Sequence, residues 1–314
     1  MLKKEVRIVY LGTPEISARV LERLLDNQYN IVSVIAQEDK PTGRGNKLEE
    51  VPTKKVAKRF NIPCFQFSKI REHFGEIKSM KPDILLTMAY GQLISDEILD
   101  LAKYGPLNLH GSLLPKYRGA APIQFAILNG EKESGVTLMK MVKKMDAGTM
   151  YAKETFPIDE FDNYDSVCEK IIEAAFNVLD KNLDNYLNGR LVGEEQNEEE
   201  ATFTKKILPE DEIIDFNKDA KEIVNKIKAL SSKPGAYFIY KNEKIKILMA
   251  KFVDVIAKPG TILKYDKNSF LIAAENGSIE VLNIQKQGKK AMNYKDFYNG
   301  NAKLFEVNSN LNNE

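Results

Sequence analysis

An amide, an imidazole and a carboxylate can together move an acyl group, and this chain carries such a set: Asn108 and His110 in Leu107-Asn-Leu-His110, and Asp146 in Met145-Asp-Ala-Gly148. On a strand, residues i and i+2 share a face. Leu107 and Leu109 then point one way, Asn108 and His110 the other, and Gly111 opens a loop. Histidine is scarce, with His73 and His110 the two in 314 residues. A carboxamide can donate to the oxyanion formed when an amine attacks an acyl carbon, worth about 10²–10³ in rate for one good donor. A histidine can bond the same oxygen or move protons, worth about 10²–10⁴. Asp146 can accept the amine proton, or orient and tune the imidazole. Each residue also fits a structural role: an Asn before a turn often bonds its own backbone, a lone His is often satisfied inside the fold, and an Asp before Ala-Gly often belongs to a turn. Spacing alone leaves both readings open.

The surrounding pattern says what must position them. Strand signals at Val6–Leu11, Asn30–Ala36, Ile62–Gln66, Asp83–Ala89, Leu107–His110 and Gly135–Val142 alternate with helix signals at Glu15–Leu25, Val51–Phe60, a Ser95-capped stretch through Ala102, and the long amphipathic Tyr164–Leu187. Strands separated by helices imply an α/β fold with a doubly wound, mostly parallel, Rossmann-like sheet. Such sheets build their sites at the carboxyl ends of strands, where Leu107–His110 delivers its polar pair. The expected domains are a catalytic domain over 1–189, an acidic, aperiodic linker over 190–207, and a C-terminal domain over 208–314. In the last, Asn217 can cap a helix to about Leu230. Five short strands follow: Ala236–Tyr240, Lys244–Val253, Gly260–Tyr265, Ser269–Ala274 and Ser278–Ile284. They suggest a small β-barrel of the OB type. Asn308–Glu314 reads as a frayed tail.

Composition narrows the class. Hydrophobic residues are 43% and charged residues 29%, ordinary for a soluble globular protein. No apolar run reaches a membrane span, and the N-terminus enters a strand without a leader-like segment, so the expected address is the cytoplasm. Cys64 and Cys168 lack metal-ligand spacing and read as reduced core thiols; no metal is expected. Net charge is +1, but residues from Lys205 onward hold 19 Lys against 14 acidic residues, and the remainder is net −4. A Lys-rich solvated surface explains this on charge alone. Tyr237, Phe238, Tyr240 and Phe252 interleave with Lys244 and Lys246, a pattern open to a nucleic-acid surface or to a barrel core. Gly12-Thr-Pro14 follows the first strand but lacks Gly-x-Gly-x-x-Gly, which excludes a dinucleotide site. There is no phosphate-binding loop.

The string Asn108-Leu-His-Gly-Ser-Leu-Leu-Pro115, with Asp146-Ala-Gly148 after it, resembles the formyltransferase family that uses 10-formyltetrahydrofolate. Leu11-Gly-Thr-Pro14, Gln37-Glu-Asp-Lys-Pro-Thr-Gly-Arg-Gly-Asn-Lys-Leu48, Met88-Ala-Tyr-Gly91, Lys116-Tyr-Arg-Gly-Ala-Ala-Pro-Ile-Gln124, Pro259-Gly-Thr-Ile-Leu263 and Gly288-Lys-Lys-Ala-Met292 are similar to the branch that formylates methionine on initiator tRNA. Their order and spacing cover nearly the whole chain. The resemblance implies a catalytic trio of Asn108, His110 and Asp146, a folate-contacting loop of Ser112, Leu113, Leu114 and Pro115, and a pterin pocket walled by Met88–Leu93 (Met88, Tyr90 and Leu93 among them) and Val142–Asp146. It implies that Arg44, in the Gly43-Arg-Gly45 loop with Lys40 and Lys47 nearby, reaches the tRNA acceptor end. The partners implied are 10-formyltetrahydrofolate, as cosubstrate, and methionyl initiator tRNA. One departure is visible: Ser231-Ser-Lys-Pro-Gly235 stands where the family commonly carries Asn-Pro-Trp-Pro, and the chain has no Trp. Two rival readings share these residues: a formyltransferase acting on another amine, or a formyl-folate hydrolase; and a noncatalytic folate- or tRNA-binding protein. The basic C-terminal part and the Gly43-Arg-Gly45 loop argue against the first, the complete trio against the second.

Overall fold

Apolar runs in the first half of the chain form the middle of a seven-stranded sheet. The computed structural model describes residues 2–42 and 47–313. In chain order come β1 (Ile8–Gly12), α1 (Glu15–Asp26), β2 (Ile31–Ala36), the hairpin β3 (Lys40–Thr42) and β4 (Lys47–Glu49), α2 (Pro52–Arg59), β5 (Cys64–Gln66), α3 (Phe74–Ser79), β6 (Ile84–Met88), α4 (Asp96–Leu99) and β7 (Pro106–His110). Then follow β8 (Arg118–Gly119), α5 (Pro122–Leu128), β9 (Glu133–Lys140), β10 (Met150–Pro157), α6 (Tyr164–Leu187) and β11 (Phe203–Thr204). Strand order is β10-β9-β7-β6-β1-β2-β5. β1, β2, β5, β6 and β7 are parallel, while β9 and β10 add two antiparallel strands at one side. β1, β6 and β7 are buried at all five positions, because a parallel sheet is covered on both faces. α1 lays Ala18, Val20, Leu21 and Leu24 inward at helical spacing. From β1 the chain winds out to β5, then returns to β6 and β7 on the other side, so the direction reverses between β1 and β6. The doubly wound, mostly parallel sheet expected from the sequence is present.

The chain divides into two compact units. The first holds Met1–Gly119, Glu133–Pro157 and Cys168–Thr204; the second holds Ala120–Lys132, Ile158–Val167 and Lys205–Glu314. In the second unit, α7 (Ala220–Leu230) packs Ile223, Val224, Ile227 and Leu230 into an apolar core. Its cap is Asp219, whose side chain accepts from Lys221 N at 2.8 Å, rather than Asn217. β12 (Tyr237–Tyr240), β13 (Glu243–Val253), β14 (Ile262–Tyr265), β15 (Phe270–Ala274), β16 (Gly277–Lys286) and β17 (Met292–Asn293) form one antiparallel sheet in the order β12-β13-β16-β15-β14, with β17 on β16. β12 and β14 end this half-barrel, and among the described residues they do not pair. α8 (Tyr294–Asn301) follows.

Phe238 and Tyr240 belong to the core with Tyr265, Phe270 and Phe305. Tyr237 and Phe252 are half-buried beneath Lys244 and Lys221. The expected frayed tail is tied down as far as Leu311. Ile262 N donates to Ser309 O at 2.9 Å, Asn308 N to Ile262 O and Leu311 N to Gly260 O at 2.8 Å, and Leu311 is buried. Ser231-Ser-Lys-Pro-Gly235 is closed by Gly235 N to Leu230 O and by Ser232 N to Asp165 Oδ2. Cys64 and Cys168 are half-buried, not core. No helix among the described residues is long and apolar enough to cross a membrane.

Candidate active site

β7 places Asn108 and His110 on one face, both nearly buried. Asn108 is the register partner of Thr87 on β6, and His110 of Thr137 on β9. The His110 ring is held at Nε2, 2.9 Å from the carbonyl of Tyr117. A carbonyl only accepts, so Nε2 carries a proton and donates it there. Nδ1 is left as the nitrogen that can gain or lose a proton, and it faces Asp146 Oδ1 at 3.7 Å. The other carboxylate oxygen, Oδ2, accepts from Gly119 N at 2.8 Å. Asp146 sits at φ 48°, in the left-handed region. By contrast, His73 is structural: it stacks on Phe67 and bonds Glu76.

Asn108 makes no side-chain hydrogen bond among the described residues. Beside it, Thr87 Oγ1 is buried without a partner, as is Tyr90 Oη. Buried polar atoms are nearly always paired in folded proteins, so these two hydroxyls are exceptions.

The loop after His110 divides its residues. Ser112 is fully buried and its hydroxyl donates to Lys116 O at 2.7 Å. Thr137 Oγ1 donates to Ser112 O and accepts from Leu114 N. Leu114 packs with Met139 and Met150. Leu113 and Pro115 are the half-buried members of this set. At the carboxyl end of β6, Met88 and Tyr90 are buried, and Tyr90 O accepts from Gln37 Nε2 and Thr13 Oγ1. Leu93 is 78% exposed. It lines a cavity of about 500 Å³ with Gln92, Ile70, Arg71, Lys69 and Lys143 among its other walls. That volume suits a small ligand. The trio is not among the cavity's lining residues.

Lys40 is exposed on β3, which pairs with β4 in the register Lys40↔Glu49 and Thr42↔Lys47. The hairpin's base is fixed by Asp39, which accepts from Val51 N and Gln66 Nε2 and pairs with Lys54. Lys47 lies on β4, and Arg44 lies outside the described residues.

Sequence reasoning missed a layer behind the trio. Gln196, from the stretch read as a linker, donates through Nε2 to the carbonyls of Asp146 and Gly148, both at 2.8 Å. Its Oε1 accepts from Nε of Arg118, which is fully buried. The Arg118 guanidinium continues to Glu198 at 3.0 and 3.2 Å. With Lys144 also on Glu198, these cations hold its carboxyl at about 2, far below the ordinary 4.5. Arg118 stood inside a quoted motif; Gln196 had no sequence signal. Among the described residues, no group of three or more His, Cys, Asp or Glu is placed to hold a metal ion.

A buried amide, an imidazole with one nitrogen committed and a carboxylate beside the other thus lie together on a doubly wound sheet, an arrangement with the groups that acyl transfer needs. Residues 6–183 match the formyl transferase family and residues 206–302 its C-terminal domain, and the chain belongs to the formyltransferase family. Among curated relatives, the methionyl-tRNA formyltransferase of Lactococcus lactis subsp. cremoris (strain SK11) is 39% identical over 98% of this chain and 99% of its own length. That of Thermotoga maritima is 38% identical over 94% of this chain and 95% of its own. In fold, the chain is similar to the N-formyltransferase from Helicobacter canadensis, solved in complex with folinic acid and dTDP-3-aminofucose. The TM-score is 0.66 at 21% identity, over 90% of this chain and 99% of that one. The family resemblance carried by the motifs is borne out.

Proposed function

We propose that this chain transfers a formyl group from 10-formyltetrahydrofolate to the amino group of methionyl initiator tRNA, in the cytoplasm, where the product starts translation. Full-length identity to methionyl-tRNA formyltransferases supports the substrate pair. The observation that carries the chemistry is the committed His110 ring: Nε2 bound to Tyr117 O, Nδ1 turned to Asp146.

The cavity of about 500 Å³ lined by Gln92, Leu93 and Lys143 offers both apolar and polar walls, which supports a heteroaromatic ligand rich in donors and acceptors. Met88–Leu93, Val142–Asp146 and the Ser112–Pro115 loop would hold it. With Ser112 and Leu114 committed inside the loop, Leu113 and Pro115 are the members able to touch it. When bound, the folate supplies the formyl carbon and its carbonyl oxygen. Asn108 donates to that oxygen as negative charge develops on it. His110 Nδ1 takes the proton the attacking amine sheds and returns it to the departing nitrogen of the donor. Asp146, 3.7 Å away, stabilises the imidazolium between these transfers. Nε2 stays protonated on Tyr117 O throughout, which keeps the ring from turning. Holding amine and formyl carbon in line supplies much of the remaining acceleration, about 7–11 kcal/mol in favourable cases. Residues 1–189 would carry this chemistry. Arg44, Lys40, Lys47 and the Lys-rich domain over 208–314, an OB-like half-barrel, would hold the tRNA.

The test is formyl transfer to methionyl initiator tRNA, with methionyl elongator tRNA and a no-acceptor control alongside. Formylation of the initiator alone is expected. Formate release in the control without transfer would replace this reading by a formyl-folate hydrolase.

A further inference from the structure

The stretch from Glu194 to Thr204 does not run past the first unit as a tether. It is bonded to that unit along its length, and its partners include the two loops that hold His110 and Asp146. Glu194 and Met150 exchange backbone hydrogen bonds, each 2.8 Å. Thr202 O accepts from Arg118 N at 2.9 Å, and Thr202 Oγ1 accepts from Tyr117 N at 2.8 Å. β11 pairs in parallel with β8. Between these ends, Gln196 reaches inward. Two carbonyls demand its NH₂ and the Arg118 Nε–H demands its oxygen, so all three bonds fix one orientation of the amide.

The groups gripped are those that hold the candidate catalytic side chains. The Tyr117 carbonyl orients His110, the Gly119 N–H orients the Asp146 carboxylate, and Gln196 clamps the Asp146 carbonyl itself. Asp146 needs that clamp. A non-glycine residue in the left-handed region is strained and persists where its surroundings over-determine it. Arg118, buried and tied to Gln196 on one edge and Glu198 on the other, stiffens the clamp from behind.

We propose that Gln196, backed by Arg118 and Glu198, is a positioning residue for Asp146, and that the segment 194–204 is a strap holding the 117–119 and 146–150 loops in reactive register. This rests on the reading of Asp146 as a catalytic residue.

The experiment uses the full chain with Gln196→Met, which keeps size and removes all three bonds. Gln196→Glu is the second variant. It is isosteric and sets a carboxylate oxygen against the two carbonyls; it serves if the first does not fold. Initial rates give kcat and both KM values, and amide hydrogen exchange is followed by peptide. We expect kcat to fall roughly 10–100-fold, the loss a displacement of about 1 Å can cause. Both KM values should stay within about twofold. Exchange should quicken at 117–119 and 146–150 and stay unchanged in β6 and β7. In an Asp146→Asn background, Gln196→Met should cost little more, because the two act as one unit. Equal losses in both backgrounds, a loss confined to KM, or quickened exchange with unchanged kcat would each overturn the proposal. If the unaltered chain transfers no formyl group, the functional reading fails. The exchange comparison then still decides the strap: unchanged rates at both loops would sink it.

Discussion

Asp146→Asn isolates one charge. The asparagine keeps the volume and one carbonyl oxygen, so the Gly119 N–H retains an acceptor. What disappears is the negative charge 3.7 Å from His110 Nδ1. Because Nε2 is already protonated and bound to Tyr117 O, a proton collected during the reaction makes a full imidazolium facing that position. Two unit charges at this separation interact by about 4–5 kcal/mol at an effective dielectric of about 20. The Asp146 side chain is 19% exposed, and solvent screens part of this. Roughly 2–4 kcal/mol then remains, or about 30–1000-fold in kcat at about 1.4 kcal/mol per tenfold. The assay is formyl transfer at saturating folate and tRNA, with a thermal melt to confirm the fold. Both KM values should change little, since the charge acts on the proton in transit and not on ground-state binding. A kcat within about threefold of the unaltered chain, far less than the electrostatic loss, would refute the imidazolium step. Asp146→Ala, which also strips the acceptor from Gly119, should lose at least as much.

Asn108→Ala should lower kcat by about 10²–10³ through loss of one oxyanion donor; a normal kcat by the same assay removes Asn108 from the mechanism. Glu198→Gln tests the charged end of the clamp through pH. The Glu198 carboxyl lies at about 2 in the fold against an ordinary 4.5. Its contribution is therefore complete above the unfolded value and is lost as pH falls through the folded one. The stability gap between the unaltered chain and Glu198→Gln, read from urea midpoints, should be constant at neutral pH and close between about 4.5 and about 2. A gap independent of pH over that range would show that the carboxylate's ion pairs add nothing. Gly119→Ala should destabilise the chain, because a Cβ there falls 2.4 Å from Thr204 O at φ 115°. An unchanged melting temperature would mean that β8 and the strap are not in close register.

What was legible follows from the range of the interactions involved. Asn108 and His110 could be paired on sight because the two-residue period of a strand is local, and the parallel strands could be found because burial on both faces leaves unbroken apolar runs. β10 was missed because its residues do not alternate: the apolar Met150, Tyr151 and Ala152 are followed by the polar Lys153, Glu154 and Thr155. The hairpin of β3 and β4 was missed because three-residue strands carry no period. Asp146 could be nominated by type, but its left-handed backbone and its distance from His110 have no local signal, and Gln196, which bonds its carbonyl, lies 50 residues further on. The acidic stretch was read as a linker for a physical reason. Composition reports what side chains would bury, and this segment is held by polar bonds: the backbone of Glu194, Thr202 and β11, and the side chains of Gln196, Glu198 and Thr202. Hydrogen bonds of that kind leave no hydrophobic pattern, and its glutamates serve partners such as Arg118 and Lys144 that lie far away in sequence. A polar, aperiodic segment next to a catalytic unit is therefore not evidence of slack. What separates a tether from a strap is whether the unit offers unpaired backbone donors and acceptors along its path, and here the two loops that carry Tyr117 and Asp146 offer them.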